Sequence, residues 1–203
     1  MRRLAHRFSL KELGPFHHFL GVEVVPTGDG LFLSQSQYVV DTLDQFGMTG
    51  AKEVTTPMNT SVDLYVVTSP VFDVIVYRQA IGRLQYLAIT RPEISFAVNR
   101  LAQFMAAPTE LQWQPVKRVL RYLKGTLYLG LHFRRGQSLS LTAYSDSDWG
   151  DTRDGGRSTT AYVIYFGPNV VSWRFAKQRC VSRSSTEPEF RVLTNFVAEV
   201  MWI

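Results

Sequence analysis

Two aspartates within residues 143–150, Asp146 and Asp148, have a type and a spacing that could support chemistry. In an extended strand alternate side chains share a face, so both carboxylates are expected to point the same way. Carboxylates gathered on one face commonly bind a divalent cation, and their hard oxygen atoms favour Mg²⁺ or Mn²⁺ over Zn²⁺. The sequence therefore predicts a metal site here, to be considered together with the acidic segment at residues 184–190.

The composition is that of a globular protein with a packed core. Of the 203 residues, 45% are hydrophobic and 13% are aromatic, which is enough for one large domain or two small ones. The net charge of +5 is compatible with an acidic partner but does not by itself select nucleic acid. The single cysteine, Cys180, excludes an intrachain disulfide and a cysteine-rich zinc site. No apolar run is long enough to span a bilayer, so no membrane partner is expected.

The first part of the chain combines a hairpin with several helices. Residues 19–25 and 31–33 are predicted to form a β-hairpin around the turn at residues 28–30. Most of residues 50–76 are expected to form an extended connection. Apolar residues at helical spacing predict one helix that ends at Gly14, one that starts near Ser34 or Ser36 and ends at Gly47, and three that follow Tyr77, Pro92 and Thr109.

A basic ridge, defined here as Lys117, Arg121 and Lys124, lies on the last of these helices. The three cations recur at helical spacing, on a different side from the apolar stripe. A solvated helix face and a phosphate-binding surface both fit this pattern. Pro115 lies inside the same helix, where its missing amide donor predicts a kink. Further cations, which favour a contacting surface, occur at Arg134, Arg135, Lys177 and Arg179.

From about residue 127 the apolar residues recur at every second position, which is typical of strands. The predicted strands, which would form a β-meander, are residues 129–133, 138–144, 158–166 and 169–175. A final helix is expected to begin at Ser184 or Ser185. Its expected apolar face consists of Phe190, Leu193, Val197 and Val200. The whole order of elements predicts an α+β fold.

Nine short segments of the chain match, in order, a known family pattern. The chain resembles the carboxy-terminal part of the reverse transcriptase and the beginning of the ribonuclease H domain in copia-type retrotransposon Pol polyproteins. It is also similar to reading frames of this kind in plant mitochondrial genomes. The matching segments are residues 10–14, 19–23, 31–34, 90–98, 119–126, 144–149, 157–160, 171–173 and 183–187.

This resemblance implies two units and a set of site residues. Residues 1–126 would be a reverse transcriptase segment, with the primer grip and thumb/connection-like helices. Residues 127–203 would be an incomplete ribonuclease H-like domain, with a truncated mixed sheet and its first helix. Asp146 and Glu189 would be catalytic and would bind Mg²⁺, or Mn²⁺. The implied nucleic-acid contacts are the ridge residues Lys117, Arg121 and Lys124, together with Ser185 and Thr186 at a helix start.

The resemblance also implies what is missing. The polymerase motif Tyr-x-Asp-Asp is expected upstream of residue 1, and a third ribonuclease H aspartate is expected after residue 203. The first hypothesis is therefore a catalytically incomplete retroelement fragment that binds RNA–DNA hybrid or template–primer duplex. The rest of a Pol polyprotein is a further expected partner. The alternatives are residual magnesium-dependent cleavage of RNA in hybrids and a non-functional remnant.

Other residues are interpreted without a chemical role. Asp148 is expected to be a water-exposed acid at the strand end. The resemblance implies that Asp146 pairs with Glu189 instead. Cys180 is interpreted as an inert thiol. The expected compartment is the cytoplasm or nucleus, with the mitochondrion as an open alternative. The four tryptophans expected to pack in the core are Trp113, Trp149, Trp173 and Trp202.

Overall fold

The computed structural model describes residues 17–66, 69–136, 139–150 and 155–203. These residues form two antiparallel sheets and five α-helices, which confirms an α+β architecture. The helix that was predicted to end at Gly14 lies outside the described residues. The strands are β1 His18–Phe19, β2 Val22–Thr27, β3 Gly30–Ser34, β4 Leu131–Arg134, β5 Leu141–Ser147, β6 Thr159–Phe166 and β7 Asn169–Lys177. The helices are α1 Ser36–Gln45, α2 Val74–Leu87, α3 Ser95–Ala102, α4 Glu110–Gly125 and α5 Thr186–Trp202.

The first sheet has the order β1-β2-β3-β4. Strands β2 and β3 form the predicted hairpin, in which Val25 pairs with Phe32. Strand β4 then pairs with β3, with His132 opposite Phe32. The assignment of residues 129–133 to the later meander was therefore wrong, because a strand-like period does not specify which strand is the partner.

The pairing of β3 with β4 depends on the absence of a side chain at Gly30. A Cβ atom there would lie 1.9 Å from the carbonyl oxygen of Phe133, whereas one at Gly28 would have open space around it. We expect Gly30→Ala to lower the free energy of unfolding by about 1–3 kcal/mol, because the two backbones must separate. Urea denaturation measures this loss. Gly28→Ala is the matched control, and an equal loss in both variants would refute the steric explanation.

The helices α1–α4 surround the main hydrophobic core. Two of them begin at side-chain caps: Asp73 accepts hydrogen bonds from the first amides of α2, and Thr109 forms a capping box with Gln112 at α4. Helix α4 continues through Pro115, which is buried. The fully buried large side chains of this core include Leu64, Tyr77, Ile81, Leu84, Leu87, Ile94, Leu101, Leu120 and Leu123.

Tyr77 joins two helices from within this core. Its hydroxyl donates a hydrogen bond of 2.9 Å to the carbonyl oxygen of Leu101, at the end of α3. Burial raises the pKa of the Tyr77 hydroxyl above its ordinary value, because the phenolate would be poorly solvated there. The neutral hydroxyl therefore keeps α2 and α3 together.

The second sheet has the order β5-β6-β7, and all its described pairs are antiparallel. The resemblance implied a mixed sheet, and the described residues show no parallel pair. One face of this sheet meets the helical layer: Trp173 donates from Nε1 to the carbonyl oxygen of Ala88 at 3.2 Å, and the rings of Phe175 and Phe96 lie 5.1 Å apart. These contacts join β7 to α2 and α3.

Helix α5 covers the other face of the second sheet with a side that was not expected. Val192 is fully buried and Pro188 is buried, whereas Phe190 is 65% exposed. The predicted apolar face was therefore wrong for Phe190, Leu193 and Val197, all of which are exposed. Apolar residues occur on more than one side of this helix, so its periodicity alone does not select the buried side.

The tryptophans divide into two packed and two exposed residues. Trp113 is 9% exposed in the main core. Trp173 is half-buried on the face of β7 that meets the helices. Trp149 is 63% exposed and Trp202 is 83% exposed. The expectation of core packing was therefore right for Trp113 and wrong for Trp149 and Trp202.

Candidate nucleic-acid interface

The basic ridge of α4 lies against the connection that follows α1. Arg121 donates from Nε to the carbonyl oxygen of Lys52, and Lys124 donates from Nζ to that of Ala51 at 2.8 Å. Lys117 is half-buried on the same helix. Two of the three ridge cations therefore anchor the connection as well as contributing positive charge. Their contact with phosphate stays a prediction.

Asp146 is exposed near the end of β5. It pairs with Ala161 of β6, which in turn pairs with Phe175 of β7, so these three side chains share one face of the sheet. Its carboxylate accepts a hydrogen bond of 2.9 Å from the amide of Ser147. Because Phe175 contacts Phe96 of α3, this face is the one turned toward the helical layer.

Helix α5 lies on the opposite face of the second sheet. Its Phe196 meets the ring of Tyr162, with the ring centroids 6.4 Å apart. Tyr162 pairs with Ser145, the residue before Asp146 in β5. Because successive side chains of a strand point to opposite faces, the sheet separates the Asp146 side chain from α5.

The first turn of α5 holds Glu189 and the two residues predicted to approach a nucleic-acid backbone. Glu189, Ser185 and Thr186 are all exposed. The turn is tied together by the hydroxyl of Ser184, which accepts a hydrogen bond of 3.3 Å from the amide of Glu187. The amide groups at a helix start favour a nearby anion, so a phosphate contact at Ser185 and Thr186 is consistent with their position. This contact stays a prediction.

The structure places the side chain of Asp146 and the helix that carries Glu189 on different faces of the second sheet. Asp146 belongs to one face of the sheet, and Glu189 belongs to the helix on the other face. Within the described ranges, no group of three or more His, Cys, Asp and Glu side chains could hold a metal ion. The binding of a shared Mg²⁺ or Mn²⁺ ion by Asp146 and Glu189 stays a prediction. Their catalytic assignment stays a prediction.

Asp148 has a structural contact at the end of the second sheet. Its Oδ1 accepts a hydrogen bond from the amide of Thr159, the first residue of β6. Next to it, the amide of Gly150 donates to the hydroxyl of Ser158 at 3.1 Å. The side chain is exposed, as expected, and it holds the segment after β5 against the start of β6.

Comparisons with known proteins identify relatives over nearly the whole chain. Residues 1–60 match the family model described as reverse transcriptase (RNA-dependent DNA polymerase). The retrovirus-related Pol polyprotein from transposon RE1 of Arabidopsis thaliana is 47% identical over 201 residues, which cover 98% of this chain and 14% of the polyprotein. The uncharacterized mitochondrial protein AtMg00810 of the same plant is 42% identical over 200 residues, which cover 98% of this chain and 83% of that protein. The chain belongs to the retrotransposon Pol family.

Membership of the Pol family confirms the resemblance found in the sequence. A third relative, the retrovirus-related Pol polyprotein from transposon TNT 1-94 of Nicotiana tabacum, is 34% identical over 210 residues, which cover 98% of this chain and 16% of the polyprotein. The chain thus spans 14–16% of the length of these two Pol polyproteins. No solved structure matches the chain significantly. In the described part of this Pol-family chain, no helix has the length and apolar character needed to cross a membrane.

Sequence reasoning missed one grouping of cations in this Pol-family chain. Lys177 and Arg179 were recognised as basic positions, but Arg174 and Arg191 were not, and the structure places all four around one cleft between β7 and α5. Arg174 shares a face of β7 with Ala176, and this alternation was a usable signal. The helix residue Arg191 had no signal in the sequence, because its position depends on how α5 docks.

Proposed function

We propose that the protein is a fragment of a copia-type retroelement reverse transcriptase/ribonuclease H that binds RNA–DNA hybrid or template–primer duplex without cleaving it. The observation that carries this proposal is the match to Pol polyproteins over 98% of the chain. In this proposal the segment supplies surfaces that contact nucleic acid, and the chemistry is located elsewhere in the polyprotein. The rest of a Pol polyprotein is a second proposed partner.

The charge of the chain supports binding to a polyanion. The formal net charge is +5, and the cations include both the basic ridge and the residues around the cleft between β7 and α5. Neutralising backbone phosphates releases condensed counterions, so binding through these surfaces would weaken steeply as the salt concentration rises. Backbone contacts of this kind do not depend on base sequence.

The position of the carboxylates supports the absence of cleavage. A two-metal mechanism needs acidic ligands that converge on ions lying close together. Here the side chain of Asp146 and the helix that carries Glu189 lie on opposite faces of the second sheet. The alternative function, residual magnesium-dependent ribonuclease H activity, would require these carboxylates to converge.

We predict salt-dependent binding to an RNA–DNA hybrid and no cleavage of its RNA strand. Fluorescence anisotropy of a labelled hybrid, titrated with the protein at several salt concentrations, measures binding. Gel electrophoresis after incubation with Mg²⁺ or Mn²⁺ measures cleavage. The protein and its Asp146→Asn variant are both expected to give the background of a protein-free reaction.

Two results would contradict this proposal in different ways. Cleavage that is present in the native chain and lost in Asp146→Asn would establish the ribonuclease alternative. The absence of salt-dependent binding to the hybrid would refute the nucleic-acid function itself. Duplex DNA of the same sequence is the control that tells hybrid preference from general affinity for polyanions.

A further inference from the structure

A basic cleft of about 470 Å³ lies between β7 and α5, on the face of the second sheet away from Asp146. The cations around it are Arg174, Lys177, Arg179 and Arg191, and the described residues that line it include no acid. Its other lining groups include the exposed polar residue Asn195. Positive charge and neutral hydrogen-bonding groups together make a surface suited to an anion.

Hydrogen bonds hold one side of this basic cleft in place. The guanidinium group of Arg191 donates to the carbonyl oxygen of Cys180 at 3.1 Å and to the hydroxyl of Ser182 at 3.2 Å, and it is also paired with Glu187. The ammonium group of Lys177 donates to the carbonyl oxygen of Arg157 at 2.9 Å, but the charge of the lysine is retained.

The floor of the basic cleft is formed by the buried side chain of Gln178. Its Nε2 donates to the carbonyl oxygen of Pro188 at 3.1 Å and lies 3.3 Å from the hydroxyl of Thr160. These contacts tie the end of β7 to both β6 and the first turn of α5. The cleft is therefore formed by the packing of β6, β7 and α5 against one another.

The four cations differ in exposure and in hydrogen bonding. Arg174 and Arg179 are exposed, whereas in the basic ridge Arg121 and Lys124 already donate to backbone carbonyls. A guanidinium group presents a planar set of donors that matches two phosphate oxygens at once. Two exposed arginines beside an open cleft are thus better placed to bind phosphate than the ridge is.

The lining of the basic cleft also indicates how it would contact a nucleic acid. The described residues that line it include no aromatic side chain, so no base-stacking platform is present there. Arginine, lysine, amide and hydroxyl groups are the usual contacts to phosphate oxygens, which position a nucleic acid without reading its sequence.

We propose that the basic cleft binds the phosphate backbone of the nucleic acid, with Arg174 and Arg179 as its principal phosphate ligands. This inference rests on the proposed function and locates its contact surface between β7 and α5. The hydrogen bonds of Arg191 and Gln178 hold the elements around the cleft in place. Because only backbone oxygens are contacted, binding in the cleft is independent of base sequence.

The test compares two double variants that remove the same charge. Arg174→Gln/Arg179→Gln alters the basic cleft, and Lys52→Gln/Arg78→Gln alters exposed cations of the connection and of α2. Anisotropy titrations with a labelled RNA–DNA hybrid are repeated over a range of salt concentrations, and circular dichroism confirms that each variant is folded. The cleft variant is expected to bind about tenfold more weakly, and the slope of log K against log salt to fall by about 1.8. The control variant is expected to change much less.

Each other outcome has a definite meaning. Equal binding by the native chain and the cleft variant would overturn the cleft while leaving the proposed function intact, and Lys117→Gln/Arg121→Gln would then show whether the ridge is the contact surface. Equal losses in the cleft and control variants would also overturn it, because only net charge would matter. If the native chain does not bind the hybrid, both the cleft inference and the proposed function fail.

Discussion

Replacing Trp113 with alanine is expected to lower the free energy of unfolding by about 3–5 kcal/mol, because it empties a large aromatic site in the core. The indole ring stacks on Phe72, with ring centroids 4.5 Å apart and planes inclined by 16°. It also meets Phe46 at 6.1 Å and Tyr77 at 6.4 Å. These contacts join α4 to α1, to α2 and to the segment that precedes α2.

The exposed Trp202 is the matched control for this prediction. The same substitution there removes a side chain that is 83% exposed, so Trp202→Ala is expected to change the free energy of unfolding by no more than about 0.5 kcal/mol. Urea denaturation followed by circular dichroism measures both variants. A small loss at Trp113, or equal losses at the two sites, would show that the aromatic cluster does not organise the helical layer.

Replacing Arg91 with methionine is expected to lower the free energy of unfolding by about 3 kcal/mol, since it removes a charged group from a buried network. The guanidinium group donates to Glu93 at 2.6 Å, to the carbonyl oxygen of Thr126 at 3.0 Å and to the hydroxyl of Thr126 at 2.6 Å. It also lies 5.7 Å from the ring centroid of Tyr122. The methionine would leave the Thr126 carbonyl without this donor.

Two further variants test whether the network of Arg91 is the cause. Arg91→Lys keeps the charge but cannot reproduce the planar fork of donors, so an intermediate loss is expected. Arg157→Met changes an exposed arginine and is expected to be nearly neutral. If the buried and exposed arginines gave the same small loss in urea denaturation, the buried network would not contribute to stability as argued.

These two interactions matter for the proposed function because they fix α4, the helix that carries the basic ridge. Trp113 and the Thr126 contact lie at the two ends of α4. The second sheet is attached to the same helical layer through Trp173 and Phe175. Loss of hybrid binding in a destabilised variant would therefore not identify a contact residue. The charge-matched comparison at Arg174 and Arg179 avoids this difficulty.

The sequence by itself determined most of the local structure. The hairpin turn, the period of the helices and the cap at Thr109 depend on residues within a few positions of one another, so they can be recognised without the fold. The family was also determined at this level, because nine short segments occur in the family's order. The basic positions Lys177 and Arg179 were visible in the same way, but their common cleft with Arg191 was not.

Only the tertiary structure decided which surfaces meet. It paired β4 with β3, although its strand period was compatible with the meander. It buried Val192 of α5 rather than Phe190, although both are apolar. It also placed Asp146 on the face away from α5, a choice that shifts with a single residue of strand register. Each of these outcomes depends on packing between elements far apart in sequence, and a local period carries no information about the distant partner.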